Sequence, residues 1–332
     1  MSLPNKKSSW YAMGEVIEMI VNLKDVIKRY QNERLALDYL NFNVQKGEVV
    51  GLLGPNGAGK TTAINAIVGL LDIDEGTVEV FGKKQNGKNT ELRSRIGLVT
   101  QEVTVYEDLS AYENLRFFGK LYGLRGEQLK QRIEEVASLI GLEQRLHEVP
   151  KRYSGGMKRR LNIGCALLHE PELIIMDEPT VGIDPQSRNY ILEFVKELAK
   201  KTDTAIIYTS HYIEEVQAIS DRVYIIDQGH IIAKGTVKEL IEKIKGDQVI
   251  SIEVKQGSVE LIDNLKSISD VKEVHLNDNV YQIITEAGVN VLDKALAILS
   301  TQTIVNAQNQ QANLEDVFLM LTGKSLRDGE VS

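Results

Sequence analysis

The spacing of apolar positions changes character several times along this chain, and each change predicts an element. Ile20-Val21-Asn22-Leu23-Lys24-Asp25-Val26 alternates apolar and polar, the pattern of a half-buried strand. Leu35 to Val44 reads as a second strand that ends in the turn Lys46-Gly47. Glu48-Val49-Val50-Gly51-Leu52-Leu53 is a continuous apolar run of buried-strand type. Thr77–Phe81 alternates again, and Ile96–Thr100 is short and apolar. From Ser110 to Leu146 the period becomes helical. Ser110 and Glu113 form a capping-box pattern, with Leu115, Phe118 and Tyr122 on one stripe and Leu129, Ile133, Val136 and Ile140 on another. These stripes are read as core packing. Strand character returns at Leu173–Met176, Ala205–Tyr208, Arg222–Asp227 and His230–Ala233, the last two joined by the hairpin turn Gln228-Gly229. Strands alternating with helices predict a mostly parallel sheet covered on both faces.

Beyond about residue 245 the order differs. Val249–Val254 is a strand, Ser258–Ile268 a helix, Val271–Leu276 and Val280–Thr285 strands, Asn290–Leu299 a helix and Thr303–Ala307 a strand. That β-α-β-β-α-β series is the split-βαβ, ferredoxin-like arrangement. A closing helix is expected at Leu314–Leu321. No catalytic cluster stands out in this part, and a regulatory or dimerisation module is its simplest reading. The expected divisions are a disordered extension at 1–12, a main domain at 13–245, the accessory domain at 246–323 and a tail at 324–332.

One loop carries chemistry directly. Gly54-Pro55-Asn56-Gly57-Ala58-Gly59-Lys60-Thr61-Thr62 fits G-x-x-x-x-G-K-[ST] at every fixed position. A buried strand precedes it, and Ala63–Leu70 follows with helical spacing. In that context the glycines let the backbone turn its N–H groups onto a polyphosphate, at a helix N-terminus that adds partial positive charge. Lys60 is placed to reach the β- and γ-phosphates, and the Thr61 hydroxyl to ligate Mg2+. An ordinary glycine turn explains the spacing less well, because it accounts for neither flank.

Two further motifs depend on the first. The strand Leu173–Met176 ends in Asp177-Glu178. A carboxylate at the C-terminal end of a parallel strand beside a P-loop can hold Mg2+, and its neighbour can act as general base toward water. Without the P-loop the pair would read as a surface turn before Pro179-Thr180. Tyr153-Ser154-Gly155-Gly156-Met157 opens a helix and presents free N–H groups and a hydroxyl, a second phosphate nest. Alone, Ser-Gly-Gly is also a common loop.

Taken together and in this order, the motifs resemble those of ATP-binding subunits of ATP-binding cassette (ABC) transporters. Tyr153–Met157 is similar to that family's signature, Leu173–Glu178 to its Walker B strand, and Val181-Gly182-Ile183-Asp184-Pro185 to its D-loop. The resemblance implies that Gln101 is the Q-loop glutamine and His211 the switch histidine. It also implies that Tyr30 stacks on adenine and Asp184 contacts the nucleotide site. The catalytic set it implies is Glu178, His211, Lys60 and Gln101. The metal set is Thr61, Gln101 and Asp177. Tyr30, residues 54–62, Ser154, Gly155, Gly156 and Asp184 would bind ATP. The fold implied is an α/β P-loop NTPase of the ABC ATPase type, with a mostly parallel core sheet, an antiparallel β subdomain and a helical subdomain, followed by the small α+β domain. Departures are mild: Tyr153 stands for the commoner leucine, Met157 for glutamine, and Val181 and Ile183 are unusual in the D-loop. The signature, its basic run and the ending Leu314–Phe318 resemble the drug-, antibiotic- and polysaccharide-export branch.

Composition narrows the partners. The net charge of −8 disfavours a general electrostatic grip on nucleic acid, so none is expected as a partner. No uncharged apolar run approaches the ~20 residues that span a bilayer. The single cysteine, Cys165, sits in an apolar segment and reads as a packing residue. His147, His169, His230 and His275 lack metal-ligand spacing. The resemblance implies ATP and Mg2+ as cofactors and a separate integral membrane permease as partner. It also implies a homodimer, or a pair with a related ATPase chain, closed across the nucleotide. The location implied is cytoplasmic, peripheral at the inner face of the membrane. Alternatives at this point are an importer subunit, a soluble cassette acting on ribosomes or DNA, and a metabolic kinase, which leaves the Ser-Gly-Gly nest unexplained.

Overall fold

The computed structural model describes residues 10–12, 15–30, 35–243, 247–286, 289, 291–310 and 313–323. The segment expected as a disordered extension lies outside this set at 1–9. Its last part, Trp10–Ala12, instead forms a short strand paired antiparallel with Glu15–Ile17. The expected tail at 324–332 also lies outside the described residues.

Residues 1–234 make one compact unit and 235–332 a second. The division falls ahead of the expected 245/246 because the helix Val237–Lys243 packs against the closing helix Leu314–Thr322 of the second unit. Leu240 supplies the buried contact that hydropathy around 245 does not reveal.

The first unit is built on a six-stranded sheet in the order His230–Gly235, Arg222–Asp227, Val49–Leu53, Ala205–Thr209, Leu173–Asp177, Ile96–Val99. The pairings from Arg222–Asp227 through Ile96–Val99 are all parallel. Every residue of Val49–Leu53 and of Ala205–Thr209 is buried, which is why both strands read as unbroken apolar runs. An antiparallel sheet of Leu35–Gln45, Met19–Arg29, Glu75–Val80 and Lys83–Lys84 forms the β subdomain. Its inner face shares one core with the main sheet and with Ala63, Ile64, Ala66 and Ile67 of the P-loop helix.

The helical region consists of Ala111–Leu121 and Gly126–Leu139, packed against Gly155–Leu167. The Ser110–Glu113 capping box forms as expected. Tyr122 does not join the core stripe. It caps its helix at 39% exposure and stacks flat on His169, ring centroids 3.6 Å apart. The Nε2 of His169 lies 3.1 Å from the Ile96 carbonyl, so this ring ties the helical region to the core sheet. Burial, reinforced by the nearby Arg132 charge, pushes the His169 pKa down to about 4. Its folded value lies below the ordinary ~6.5, so the contribution is complete above that pH and is lost as pH falls from ~6.5 toward ~4. The expected loss is roughly 2 kcal/mol after allowance for partial exposure. Urea unfolding at pH 7.5 and pH 4.5 should show a larger acid destabilisation for the wild type than for His169→Phe; equal slopes with pH would refute it.

The second unit has the predicted connectivity. Its sheet runs Val271–Asn277, Val280–Glu286, Asp247–Val254, Ile304–Gln310, every neighbour antiparallel. The helices Glu260–Lys266 and Leu292–Ile298 share a core with the inward positions Ile250, Ile252, Tyr281 and Ile283. That is the ferredoxin-like order expected of a split βαβ.

Candidate functional site

Parallel pairing brings the chemistry to one edge of the first unit's sheet. Thr209 is in register with both Asp177 and Leu52, and Val99 with Met176. The segments leaving Leu53, Val99, Asp177 and Thr209 therefore emerge side by side at the carboxyl ends of their strands, where open α/β sheets place ligands.

The loop after Leu53 needs its glycines for space as well as for conformation. A Cβ on Gly54 would lie 2.4 Å from the Ile226 carbonyl oxygen. Gly59 has φ +111°, and a Cβ there would lie 2.6 Å from the Ala36 carbonyl oxygen. Gly59 caps the helix Lys60–Val68 without a side-chain bond, so no side chain occupies the helix N-terminus. Lys60 is only 6% exposed and folds back along the loop. Its Nζ donates to the carbonyls of Gly54 at 2.7 Å and Pro55 at 3.2 Å, and stands 3.8 Å from Glu178 Oε1. Burial lowers its pKa, with Glu178 and Asp177 pulling the other way.

A cleft of about 490 Å³ lies over this loop. Tyr30, Asn56, Gly57, Ala58, Gly59, Lys60, Thr61, Thr62, Gln101, Glu178 and His211 line it, together with Ala36. At one end Tyr30 is 43% exposed, its hydroxyl 3.4 Å from Thr62 Oγ1. Behind the loop Thr61 Oγ1 donates to Asp177 Oδ2 at 3.3 Å. Glu178 is buried in the left-handed region at φ 48°, an unusual backbone for a glutamate that turns its carboxylate into the cleft. His211 Nε2 lies 2.6 Å from Glu178 Oε2.

The four residues expected from the signature and D-loop segments fall outside this cleft. Ser154 and Gly155 are exposed at the start of the helix Gly155–Leu167, and Ser154 caps it by accepting from the Met157 N–H at 3.3 Å. Gly156 is buried, packed so closely on the helix Pro185–Thr202 that a Cβ there would lie 2.0 Å from Ser187 Oγ. Asp184 also stays out of the cleft. Its carboxylate caps the helix Pro185–Thr202 by accepting from the Ser187 N–H at 2.9 Å, and it borders Gly156 instead. Gly54 and Pro55 contribute through carbonyls that hold Lys60.

Sequence reasoning missed two positioning residues. Thr209 Oγ1 donates to Asp177 Oδ1 at 2.7 Å and accepts from the Glu178 N–H at 2.9 Å, fixing both acids at once. Only the parallel register with Asp177 marks it. Glu215 is 3% exposed and gathers three hydroxyls on Oε2, from Thr180, Ser210 and Tyr208, at 2.7, 2.7 and 3.0 Å. It thereby joins the segment after Glu178 to the one bearing His211. A second acid in Glu214-Glu215 on a helical face gave no such signal.

Oxygen donors of this kind suit a small hard cation. The Thr61 hydroxyl and the Asp177 carboxylate already lie within hydrogen-bond reach, with the Gln101 amide across the cleft, and Mg2+ keeps several waters rather than filling a protein cage. Among the described residues no group of three or more His, Cys, Asp or Glu side chains gathers as a metal cage. His230 lies 2.8 Å from Asp38 and His275 3.0 Å from Glu273, and Cys165 is buried with its thiol pKa pushed up by burial.

A buried lysine at a glycine loop, an aspartate behind it and a glutamate–histidine pair facing it make the arrangement expected of a nucleoside-triphosphatase site. The ABC transporter family profile matches residues 37–181. The chain is 44% identical to the linearmycin resistance ATP-binding protein LnrL of Bacillus subtilis (strain 168), over 91% of this chain and 98% of that protein. It is 37% identical to the Nod factor export ATP-binding protein I of Cupriavidus metallidurans, over 93% of this chain and 99% of that one. A dimeric ATP-binding cassette solved in a post-hydrolysis state with ADP and Pi superposes at TM-score 0.60 and 28% identity, covering 65% of this chain and 98% of that one. The chain belongs to the ATP-binding subunits of ABC transporters, and it is an ATP hydrolase. Among the described residues no helix is long and apolar enough to cross a membrane.

Proposed function

We propose that this chain is the motor of an export transporter, hydrolysing ATP–Mg2+ in a head-to-tail pair to drive a separate membrane permease. The observation that carries the reading is the cleft joining Lys60, Thr61, Gln101, Glu178 and His211, with Ser154 and Gly155 of the Ser-Gly-Gly nest exposed outside it. A nest that does not face its own P-loop is free to close on the nucleotide of a second copy, or of a related ATPase chain. The names of the relatives, a linearmycin resistance protein and a Nod factor export protein, support export as the direction. The cargo class that the export-branch resemblance implies is a drug, antibiotic, lipid or polysaccharide.

In this reading Tyr30 stacks on the adenine. The N–H groups of residues 56–62 and the Lys60 ammonium hold the β- and γ-phosphates and stabilise charge as the phosphoryl group leaves. Thr61, Asp177 and Gln101 would hold Mg2+, which when bound neutralises phosphate oxygens. Glu178 orients the attacking water and accepts its hydrogen bond, while His211 holds Glu178 and reaches the γ-phosphate. Loss of the γ-phosphate removes the bridge to the partner's Ser154 nest, and the pair opens.

The permease would dock on the helical region beyond Gln101. Val103, Tyr106, Phe117 and Leu121 are large, apolar and 39–66% exposed there, and Tyr106 packs edge-on against Phe117 at 5.1 Å. In this reading the chain would work at the cytoplasmic face of the membrane, held there by that partner. The test is capture of tagged Glu178→Gln protein from detergent-solubilised native membranes with ATP–Mg2+. A multi-span permease is the expected companion. Ribosomal or DNA-bound material in its place would overturn the transport reading and leave the ATPase chemistry standing.

A further inference from the structure

The helix that opens with Ser154 carries a buried cation that the mechanism above does not use. Arg159 is 2% exposed, yet among the described residues no carboxylate lies within ion-pair distance of it. Its guanidinium donates to the Thr100 carbonyl at 2.6 Å and to the Gln101 carbonyl, with Asn162 Oδ1 at 3.3 Å. A guanidinium buried without a counter-ion is costly unless its donors find partners, and here main-chain oxygens of one short loop take both terminal nitrogens, while Nε has no partner. Arginine suits the task because its rigid fork spans two successive carbonyls.

The same helix grips the rest of that loop. Asn162 Nδ2 donates to Thr104 Oγ1 at 3.1 Å, and Lys158 Nζ meets Glu107 at 2.5 Å. The loop from Thr100 is thus strapped along the helix face that begins one turn after the Ser154 nest. Gln101 lines the chain's own cleft, whereas Ser154 is exposed outside it.

We propose that Arg159 is a positioning residue that fixes the backbone of Gln101 to the signature helix, so that the two nucleotide-contacting ends of one chain move as a single body. The proposal rests on the role assigned to Gln101 in the cleft. Arg159 itself touches neither nucleotide nor metal. Its effect should therefore appear in turnover and vanish once the Gln101 side chain is gone.

The experiment is a double-mutant cycle on the full-length chain, measuring steady-state ATPase against ATP concentration, with thermal unfolding alongside. Arg159→Met is expected to lower kcat at least about tenfold with KM within about threefold of wild type. Arg159→Lys, whose ammonium is a point charge, should recover part of that loss. The double variant with Gln101→Ala should be within about twofold of the slower single variant. Multiplying losses would overturn the coupling while leaving Gln101 in its role. Wild-type turnover in Gln101→Ala would overturn both, by removing the group through which Arg159 acts. If Arg159→Met does not fold, the cycle with Arg159→Lys is read by the same outcomes.

Discussion

Lys60→Ala is expected to abolish tight ATP binding, with affinity falling at least about 100-fold, or ~2.7 kcal/mol. The side chain is the cleft's buried cation, held by two carbonyls of its own loop and facing Glu178 and Asp177. Alanine removes the charge that a triphosphate must meet, and leaves the Glu178 and Asp177 carboxylates without a nearby counter-charge. Both effects oppose an anionic ligand, so they add. Titration with a fluorescent ATP analogue, with and without Mg2+, measures the loss. Affinity within about threefold of wild type, in a protein whose unfolding temperature is unchanged, would refute the P-loop assignment.

Glu178→Gln should separate binding from hydrolysis. The amide keeps the size of the carboxylate and can still contact His211, but it accepts a proton poorly. A positioned general base contributes on the order of 10²–10⁴ in rate, and a loss in that range is expected in kcat with nucleotide affinity retained. Unable to clear its γ-phosphate, the variant should accumulate as an ATP-dependent dimer in gel filtration. Adding Ser154→Arg should return it to monomer without weakening nucleotide binding, since Ser154 lies outside the chain's own cleft. Turnover at the wild-type rate would remove Glu178 as the base. A dimer that survives Ser154→Arg would remove the signature helix as the closing surface.

Some parts of this site were legible because they depend on local chain geometry. The P-loop requires glycines at fixed intervals, a lysine and a hydroxyl, all within residues 54–62. The acids Asp177 and Glu178 stand at the end of an apolar strand, a pattern visible in any linear reading. Thr209, Glu215 and Arg159 were not legible for the opposite reason. Each is an ordinary polar residue in its own segment, and the partners that define its role lie up to 32, 35 and 59 positions away in sequence. Tyr122 shows the converse. Its helical spacing suggested core, but its place at the end of its helix left it outside, stacked on a histidine from another segment.

The domain limit illustrates the same division. Hydropathy found every strand of the second unit, because burial of alternate side chains leaves a period of two. It did not assign the helix Val237–Lys243 to that unit, because an amphipathic helix shows that it packs and not against what. By itself, then, the sequence marked most of the elements, the βαββαβ order, the phosphate loop and the candidates for the reacting groups, since backbone conformation and side-chain chemistry are local properties. Tertiary structure alone decided which groups share a cleft. It turned Ser154 and Asp184 away from the P-loop of their own chain, gave Asp177 and Glu178 a common anchor in Thr209, and set a buried guanidinium against the Gln101 backbone, because parallel strand register and helix packing bring together residues that no linear pattern connects.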